Sequence, residues 1–161
     1  MIVHPIPPLY GKNSKILILG SFPSVKSREA EFFYGHPQNR FWSVIAAVLG
    51  KEKPKTIEEK KRLILENNLA LWDVIGSCEI VGSADSTISN VTANDLSVII
   101  SNSSVDRIFV NGKTAEKYYN KYTYPKTGIK AVCLPSTSPA NAAWNFEKLV
   151  DAWKLIKITE Q

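Results

Sequence analysis

A short, uninterrupted apolar run constrains the fold of this chain more than any other feature. Residues 16–19 read I-L-I-L, follow Lys15 and are closed by Gly20, without the alternation of a half-exposed strand. Such a run is typical of a strand buried on both faces, as in parallel sheets covered by helices. Three further segments have this character, and they are residues 69–75, residues 107–110 before Asn111 and residues 130–134 before Pro135.

Helical periodicity separates these predicted strands. Residues 40–49 place four apolar side chains on one stripe, and similar patterns occur in residues 57–66, 95–100, 114–119 and 146–156. Strands that alternate with helices predict parallel β-α-β units with right-handed crossovers. We therefore predict one α/β domain over residues 1–161, a three-layer α/β/α sandwich around a four-stranded, mostly parallel sheet. The polar segment 83–92 has no clear period and is predicted to be an ordered surface loop.

Composition limits the class of protein. With 161 residues, 44% of them apolar, the chain can bury one sizeable core and has little room for two. The formal charge of +5 favours an anionic partner without identifying it. Residues 1–11 lack the features of a signal peptide, and no later segment is long and apolar enough to span a bilayer. We expect a soluble, cytoplasmic protein that does not bind membranes.

Cysteine and histidine are too few for the common metal centres. Cys78 and Cys133 belong to no C-x-x-C spacing, which predicts two reduced structural thiols. Two cysteines cannot hold a four-thiolate iron-sulfur cluster, and with only His4 and His36 beside them a zinc site is not expected either. We expect no metal and no cofactor.

Three loops follow predicted strands and should meet at one edge of the sheet. They are residues 20–24, 111–112 and 135–141, and parallel sheets bind ligands at the carboxyl ends of their strands. These loops carry amides, hydroxyls, prolines and an aromatic ring but no carboxylate, which disfavours hydrolysis by paired carboxylates. No G-x-S-x-G motif, dinucleotide fingerprint or P-loop is present.

A dense group of functional side chains precedes the helix predicted at residues 40–49. Residues 34–42 read Y-G-H-P-Q-N-R-F-W, which combines three aromatic rings, a histidine, two carboxamides and an arginine. Rings and carboxamides suit a flat, neutral heterocycle that is stacked on one face and hydrogen-bonded at its edge. A nucleobase is the obvious candidate.

These motifs resemble the uracil-DNA glycosylase superfamily. G-S-F-P-S at residues 20–24 occupies the place of the family's first catalytic motif, and L-P-S-T-S-P-A-N at residues 134–141 resembles its terminal DNA-contacting motif. F-Y-G-H-P-Q-N-R-F-W at residues 33–42 resembles the helix-initiating segment of the mismatch-specific uracil glycosylases. The resemblance covers the whole chain and implies a DNA substrate carrying a deaminated base.

One position departs from the mismatch-specific branch. That branch has a water-activating asparagine where this chain has Phe22. The hypoxanthine-DNA glycosylases resemble this chain better, because they also lack that residue and use the asparagine before R-F-W, which is Asn39 here. The resemblance implies a monofunctional glycosylase that hydrolyses the N-glycosidic bond of deoxyinosine, with uracil as an alternative base. A non-catalytic nucleic-acid-binding domain is a further alternative, because the usual first-loop amide is absent.

The resemblance also implies a base-binding set. Asn39 is the expected catalytic residue, and it is also suited to cap the following helix. Tyr34 is expected to stack beneath a flipped base, with a partly buried structural ring as the alternative. Phe22 forms either a second wall of the pocket or part of the core. The expected base-binding residues are Gly20, Ser21, Phe22, Pro23, Ser24, Tyr34, Gln38 and Asn111.

DNA contacts are expected from the fourth-strand loop. Ser136 and Ser138 are suited to donate hydrogen bonds to phosphates. Relatives place a bulky wedge in this loop, whereas this chain has compact or rigid residues, which disfavours strong intercalation. The expected DNA-binding residues are Ser136, Thr137, Ser138, Pro139, Ala140, His36 and Lys113, with His36 alternatively bracing its own turn. We expect a monomer, since a flipped base needs one pocket.

Overall fold

The computed structural model describes residues 1–160 of the chain. Its strands are β1 (Ile2–Val3), β2 (Ile16–Gly20), β3 (Leu69–Asp73), β4 (Ile75–Glu79), β5 (Ser89–Ala93), β6 (Arg107–Asn111) and β7 (Ala131–Leu134). Its α-helices are α1 (Val25–Ala30), α2 (Phe41–Leu49), α3 (Ile57–Glu66), α4 (Ser97–Ile100), α5 (Lys113–Tyr118), α6 (Tyr124–Thr127) and α7 (Phe146–Trp153). A π-helical segment, Tyr119–Thr123, joins α5 to α6, and 3-10 segments occupy Asp85–Thr87 and Lys154–Glu160.

The central sheet has four strands in the order β3-β2-β6-β7, and every neighbouring pair is parallel. All five residues of β2 are buried, as its unbroken apolar run predicts. Gly20 at the end of β2 pairs with Asp73 at the end of β3, and Asn111 at the end of β6 pairs with Leu134 at the end of β7. The carboxyl ends of all four strands therefore meet at one edge.

Helices cover both faces of this sheet. Ile16 and Ile18 of β2 pack into one core cluster with side chains of α2, α3 and α7. Leu17 and Leu19 point the other way and pack with residues of α4 and α5. Successive side chains of a strand face opposite sides, so the apolar run supplies both cores. The predicted three-layer α/β/α architecture is confirmed.

Two predictions about the strands were wrong. Residues 69–75 form parts of two strands in two sheets, because β3 ends at Asp73 and the chain then enters β4. The second sheet is antiparallel, with the order β1-β4-β5. The predicted surface loop at 83–92 contains the 3-10 turn and most of β5. Apart from Asp73, the sequence of residues 69–75 is apolar, so nothing in it indicates where the chain leaves one sheet for the other. Strand β5 is mostly exposed, so its sequence lacks a strong alternation of apolar and polar residues.

The predicted helices are all present, with shifts of one or two residues at several ends. The largest shift is at α7, which ends at Trp153 and continues as a 3-10 segment. Helix α1 was not predicted, because its six residues, V-K-S-R-E-A, carry no apolar stripe. It begins where the Ser24 hydroxyl accepts a hydrogen bond from the Ser27 backbone N–H, a capping interaction that stabilises a helix start.

Candidate functional site

A cavity of about 310 Å³ opens at the carboxyl ends of the parallel strands. Its volume lies at the lower end of the range of ~300–1,000 Å³ for small-molecule sites. The three loops at residues 20–24, 111–112 and 135–141 all contribute to it, as predicted. Its lining residues are Gly20, Ser21, Phe22, Pro23, Ser24, Phe33, Tyr34, His36, Asn39, Asp73, Ser83, Asp85, Asn111, Ser136, Thr137, Ser138, Pro139 and Ala140.

Tyr34 forms one wall of the cavity in an unusual backbone conformation. Its φ angle is 53°, a left-handed value that costs a bulky residue conformational energy. The ring stacks on Phe41 with centroids 4.0 Å apart, which holds this conformation and occupies one face of the ring. The buried hydroxyl has no hydrogen-bond partner among residues 1–160. Burial raises the pKa of this hydroxyl, the charge of Asp73 raises it further, and the nearby Asn111 amide opposes them. Tyr34 therefore presents a protonated hydroxyl.

Asn39 stands in a hydrogen-bonded network that fixes the direction of its amide. The Phe41 backbone N–H donates to Oδ1 of Asn39 at 2.9 Å, and the Thr137 hydroxyl donates to the same oxygen at 2.9 Å. Thr137 in turn accepts from Nδ2 of Asn111 at 3.0 Å. A backbone N–H can only donate, so the atom it meets is the amide oxygen. Two donors fill that oxygen, and the NH₂ group of Asn39 is left for the cavity.

Thr137 is therefore a buried structural residue rather than a surface residue. Its side chain is fully buried, and its backbone N–H donates to Oδ1 of Asn111 at 3.1 Å. The side chain predicted to approach DNA instead joins Asn111 to Asn39. Asn39 also has the predicted capping role at α2 through the Phe41 N–H, although the residue at the N-cap position itself is Arg40.

Arg40 fastens the segment 34–42 to the fourth-strand loop. Its guanidinium donates to the carbonyl oxygens of Ser138 and Asn141, both at 3.1 Å, and to that of Trp144. Its backbone N–H donates to the Thr137 carbonyl at 3.1 Å. A guanidinium group carries several N–H donors in one plane and can therefore bind several carbonyl oxygens at once. The Arg40 side chain therefore binds backbone carbonyls of this loop rather than a carboxylate.

His36 braces its own turn. Its Nδ1 accepts a hydrogen bond from the Gln38 backbone N–H at 3.1 Å, and its carbonyl accepts from the Asn39 N–H at 3.0 Å. Gln38 is exposed and lies outside the cavity lining, as does Lys113. The remaining predicted residues at the fourth-strand loop line the cavity, with Pro139 and Ala140 exposed at its mouth.

Phe22 also lines the cavity and is 8% exposed. The His4 ring meets it edge to face with centroids 5.9 Å apart, and the Arg28 guanidinium lies 5.7 Å from its ring centroid. Phe22 therefore belongs both to the cavity and to the core, which sequence reasoning had treated as alternatives.

Sequence reasoning missed two carboxylates at this edge. Asp73 ends β3, and its side chain is 5% exposed and accepts a hydrogen bond at Oδ2 from Nε2 of His4 at 2.7 Å. Asp85 lies in the 3-10 turn, where loss of water raises the pKa of its carboxyl and hydrogen bonds from Thr114 and Ser21 oppose the rise. The three predicted loops carry no carboxylate, but the cavity is also lined by Asp73 and Asp85, which lie outside those loops. Asp73 could have been predicted, because it lies at the carboxyl end of a parallel strand, where such sheets bind ligands.

Other features of the described residues add no second site. Among the side chains that the structure describes, those of residues 1–157, no group of three or more histidine, cysteine, aspartate or glutamate residues is arranged to hold a metal ion. Cys78 and Cys133 are free thiols, and burial raises the pKa of each. In the same part of the chain, no helix has the length and apolarity that crossing a bilayer requires.

The fold is a parallel α/β sandwich, and its polar and aromatic cavity lies at the strand ends. The protein therefore belongs to the class of α/β proteins that bind a ligand at the carboxyl ends of their parallel strands. A family model for the uracil DNA glycosylase superfamily matches residues 7–157. The chain belongs to this superfamily.

Three known proteins similar to this chain come from Methanosarcina species. A hypoxanthine DNA glycosylase of Methanosarcina acetivorans is 34% identical over 143 residues, which cover 88% of this chain and 89% of that protein. A hypoxanthine DNA glycosylase of Methanosarcina barkeri is 31% identical over 138 residues, or 84% and 85% of the two chains. The solution NMR structure of a candidate uracil DNA glycosylase from M. acetivorans matches with a TM-score of 0.80 at 29% identity, covering 98% of this chain and 99% of that one.

Proposed function

We propose that this protein is a monofunctional DNA glycosylase that removes hypoxanthine from deoxyinosine and leaves an abasic site. The observation that carries the proposal is the meeting of Tyr34, Asn39 and Phe22 in one cavity of about 310 Å³. The similarity to two hypoxanthine DNA glycosylases supports the choice of base.

The cavity suits a base that has been rotated out of a duplex. Glycosylases extrude the target nucleotide and hold the base by stacking and by hydrogen bonds to its edge. Tyr34 offers the ring face that Phe41 does not cover, and the ring of Phe22 in the cavity wall excludes water. The backbone N–H groups of Phe22 and Ser24 have no acceptor within residues 1–160, so they are free to donate to a base carbonyl.

Asn39 acts in this proposal as a hydrogen-bond donor. Its oxygen is filled by Phe41 and Thr137, so only the NH₂ group faces the cavity. An amide NH₂ orients a water oxygen or stabilises the charge that develops on the departing base, but it cannot remove a proton. Bond cleavage then depends on positioning and on the negative DNA phosphates near the cationic sugar. No lysine lines the cavity within the described residues, which favours attack by water over a Schiff base.

Ser136 and Ser138 are proposed to hold the phosphates beside the extruded nucleotide. The Ser136 hydroxyl oxygen accepts from the Ser138 N–H at 3.1 Å, and the Ser138 oxygen accepts from the Ala140 N–H at 3.2 Å. Both hydroxyl protons are left to donate, and phosphate oxygens are their natural acceptors. Pro139 and Ala140 at the mouth are too small to act as a long wedge.

The test is excision from end-labelled duplexes that carry one deoxyinosine, deoxyuridine or deoxyxanthosine, with abasic sites revealed by alkali. We expect strand cleavage at deoxyinosine, with deoxyuridine slower. For Asn39→Ala we expect single-turnover excision to fall by at least about 100-fold while duplex affinity stays within threefold. Cleavage of deoxyuridine alone would change the proposed base, and cleavage of none of the three would contradict the proposal.

A further inference from the structure

We propose that three lysines, Lys113, Lys117 and Lys121 (the lysine stripe), bind backbone phosphates of the DNA duplex beyond the cavity. Lys113 is among the residues that were expected to bind DNA, whereas Lys117 and Lys121 are not. The stripe extends the phosphate contact proposed at Ser136 and Ser138 along one flank of the duplex. Its assignment rests on DNA as the substrate and not on which base is removed.

The positive charge of the chain is concentrated in the segment that carries the stripe. Residues 113–130 contain five lysines and one glutamate, a net charge of +4, while the other residues of the chain share a net charge of +1. All five lysines are exposed. Lysines clustered on one part of a surface are typical of proteins that bind a nucleic-acid backbone. The anionic partner that the charge of the whole chain favours therefore has a defined place to bind.

The charges of the stripe are not neutralised by the protein. Within residues 1–157, none of its three lysines forms an ion pair. Glu116 is the one carboxylate of the segment, and it lies against the Cys133 thiol on β7, where burial raises the pKa of the thiol and the charge of Glu116 raises it further. We leave Lys126 out of the stripe because Asp95 is close enough for the lysine to lower the pKa of its carboxyl.

Two stacked tyrosines hold the outer lysines of the stripe in place. Nζ of Lys117 lies 5.2 Å from the ring centroid of Tyr118, and Nζ of Lys121 lies 5.1 Å from that of Tyr122. The two rings are stacked, with centroids 6.2 Å apart and planes 8° apart, so both ammonium groups lie on the same side of the helix. Cation–π contacts favour this arrangement. Lysines held in this way lose less side-chain entropy when they bind a phosphate.

The stripe begins beside the proposed phosphate contact. Lys113 is the first residue of α5, and a Cβ on the preceding Gly112 would lie 3.0 Å from the Cβ of Ser136. At ~1.5 Å per residue, Lys117 lies about 6 Å and Lys121 about 12 Å further along the helix. A DNA backbone that leaves Ser136 therefore meets the three lysines in turn. Helix α5 covers only one face of the sheet, so the stripe contacts only one flank of the duplex.

The test removes the two outer charges and measures how DNA binding depends on salt. Each lysine that neutralises a phosphate adds ~0.9 to the slope of log affinity against log salt concentration. For Lys117→Gln/Lys121→Gln we expect this slope to become shallower by about 1–2, and the affinity for a deoxyinosine duplex at low salt to fall by at least about tenfold. Fluorescence anisotropy measures both quantities, and urea unfolding checks that the variant is folded.

Two further variants separate a phosphate contact from a general effect of charge. Lys117→Arg/Lys121→Arg keeps both charges and should bind within about twofold of the wild type. Lys51→Gln/Lys53→Gln is the matched control, because these exposed lysines follow the end of α2 that lies away from Asn39 and the cavity. It removes the same charge and should leave both the slope and excision unchanged.

The position of the lesion in the duplex tests the direction of the stripe. Two duplexes of equal length would carry deoxyinosine near one end or near the other, so that only one of them extends along the stripe. We expect Lys117→Gln/Lys121→Gln to weaken binding to one of these duplexes by at least about tenfold and to the other by less than about twofold.

The outcomes distinguish the lysine stripe from the proposed function. A loss in the Gln variant on one flank alone, with the Arg variant and the control close to the wild type, supports the stripe. A Gln variant close to the wild type, an equal loss in the Arg variant or the control, or an equal loss on both flanks overturns it and leaves the proposed function standing. If the wild type binds with the expected salt dependence but excises none of the tested bases, the stripe stands and the proposed function is overturned.

Discussion

The Thr137 hydroxyl donates a hydrogen bond to Oδ1 of Asn39 at 2.9 Å, across 98 residues of sequence. This contact joins the loop after the last parallel strand to the turn before α2. It also decides what Asn39 offers the cavity, because the oxygen is filled and the NH₂ group is not. Thr137 is therefore a positioning residue for the proposed catalytic amide.

Replacing Thr137 by Val should test that role. The change keeps the shape of the side chain but leaves Nδ2 of Asn111 without its acceptor and Asn39 with one donor. We expect the free energy of unfolding to fall by about 1–3 kcal/mol, the usual cost of an unpaired buried polar group. Urea unfolding measures this loss, and single-turnover excision should also slow. Thr137→Ser retains the hydroxyl and should recover most of both; equal effects of Val and Ser would contradict the network.

Gly20→Ala should damage the cavity more than the fold. The added methyl group would press on Oδ1 of Asp73 and on the Tyr34 hydroxyl, and both residues line the cavity. A displacement of ~1 Å at a reacting site costs about 100-fold in rate, and we expect a loss of that size. Gly11→Ala is the matched control, because its Cβ would meet Leu65 at an ordinary 3.7 Å. Normal excision by Gly20→Ala would mean that the base does not occupy the part of the cavity beside Gly20.

Asp85 should make stability depend on pH. Although Asp85 is an exposed residue, desolvation of its carboxyl beside the cavity raises the pKa above the ordinary value of 3.8, so the folded state holds the proton more tightly than the unfolded state. The free energy of unfolding attributable to this group therefore falls as the pH rises from the ordinary to the raised pKa, and stays low above it. We expect Asp85→Asn to be more stable than the wild type near pH 7 in urea unfolding, with the difference vanishing near pH 3.

Asp95 provides a control, because its pKa shifts in the opposite direction to that of Asp85. Hydrogen bonds from Ser97 lower the pKa of its carboxyl, so its contribution is present at neutral pH and is lost as the pH falls through the lowered pKa. Asp95→Asn should be less stable than the wild type near pH 7. If both variants shifted stability in the same direction, desolvation would not be the cause at Asp85.

Ser136→Ala should weaken DNA binding without changing base preference. Its hydroxyl is proposed to meet a phosphate, and phosphate contacts carry no sequence information. We expect a similar loss of affinity for deoxyinosine, deoxyuridine and undamaged duplexes, measured by fluorescence anisotropy at fixed salt. A loss confined to one lesion would place the hydroxyl at the base instead.

The fold was predictable where one local pattern has one structural meaning. The residues of β2 are apolar at every position, and only a strand covered on both faces satisfies them all. The convergence of three loops followed from the direction of parallel strands. The break between β3 and β4 was not predictable in this way, because Val74 and Ile75 continue the apolar run of β3 while the chain changes sheets.

The site was predictable in its residue types and less so in its contacts. Tyr34, Asn39 and Asn111 were identified from chemistry and from the family resemblance, and they line one cavity. The pair of His4 and Asp73 joins residues 69 positions apart through the small antiparallel sheet, which no local pattern indicated. The direction of the Asn39 amide likewise depends on a tertiary contact.

The most direct measurement is the release of free base from a duplex that carries one deoxyinosine. Wild-type protein and Asn39→Asp would be incubated in excess over the duplex, and the released base identified by mass spectrometry. Asn39→Asp keeps an acceptor for Phe41 and Thr137 but replaces the NH₂ donor by a carboxylate oxygen. We expect free hypoxanthine from the wild type and at least about 100-fold slower release from Asn39→Asp. No hypoxanthine from the wild type, or equal release by Asn39→Asp, would contradict a glycosylase that acts through the Asn39 donor.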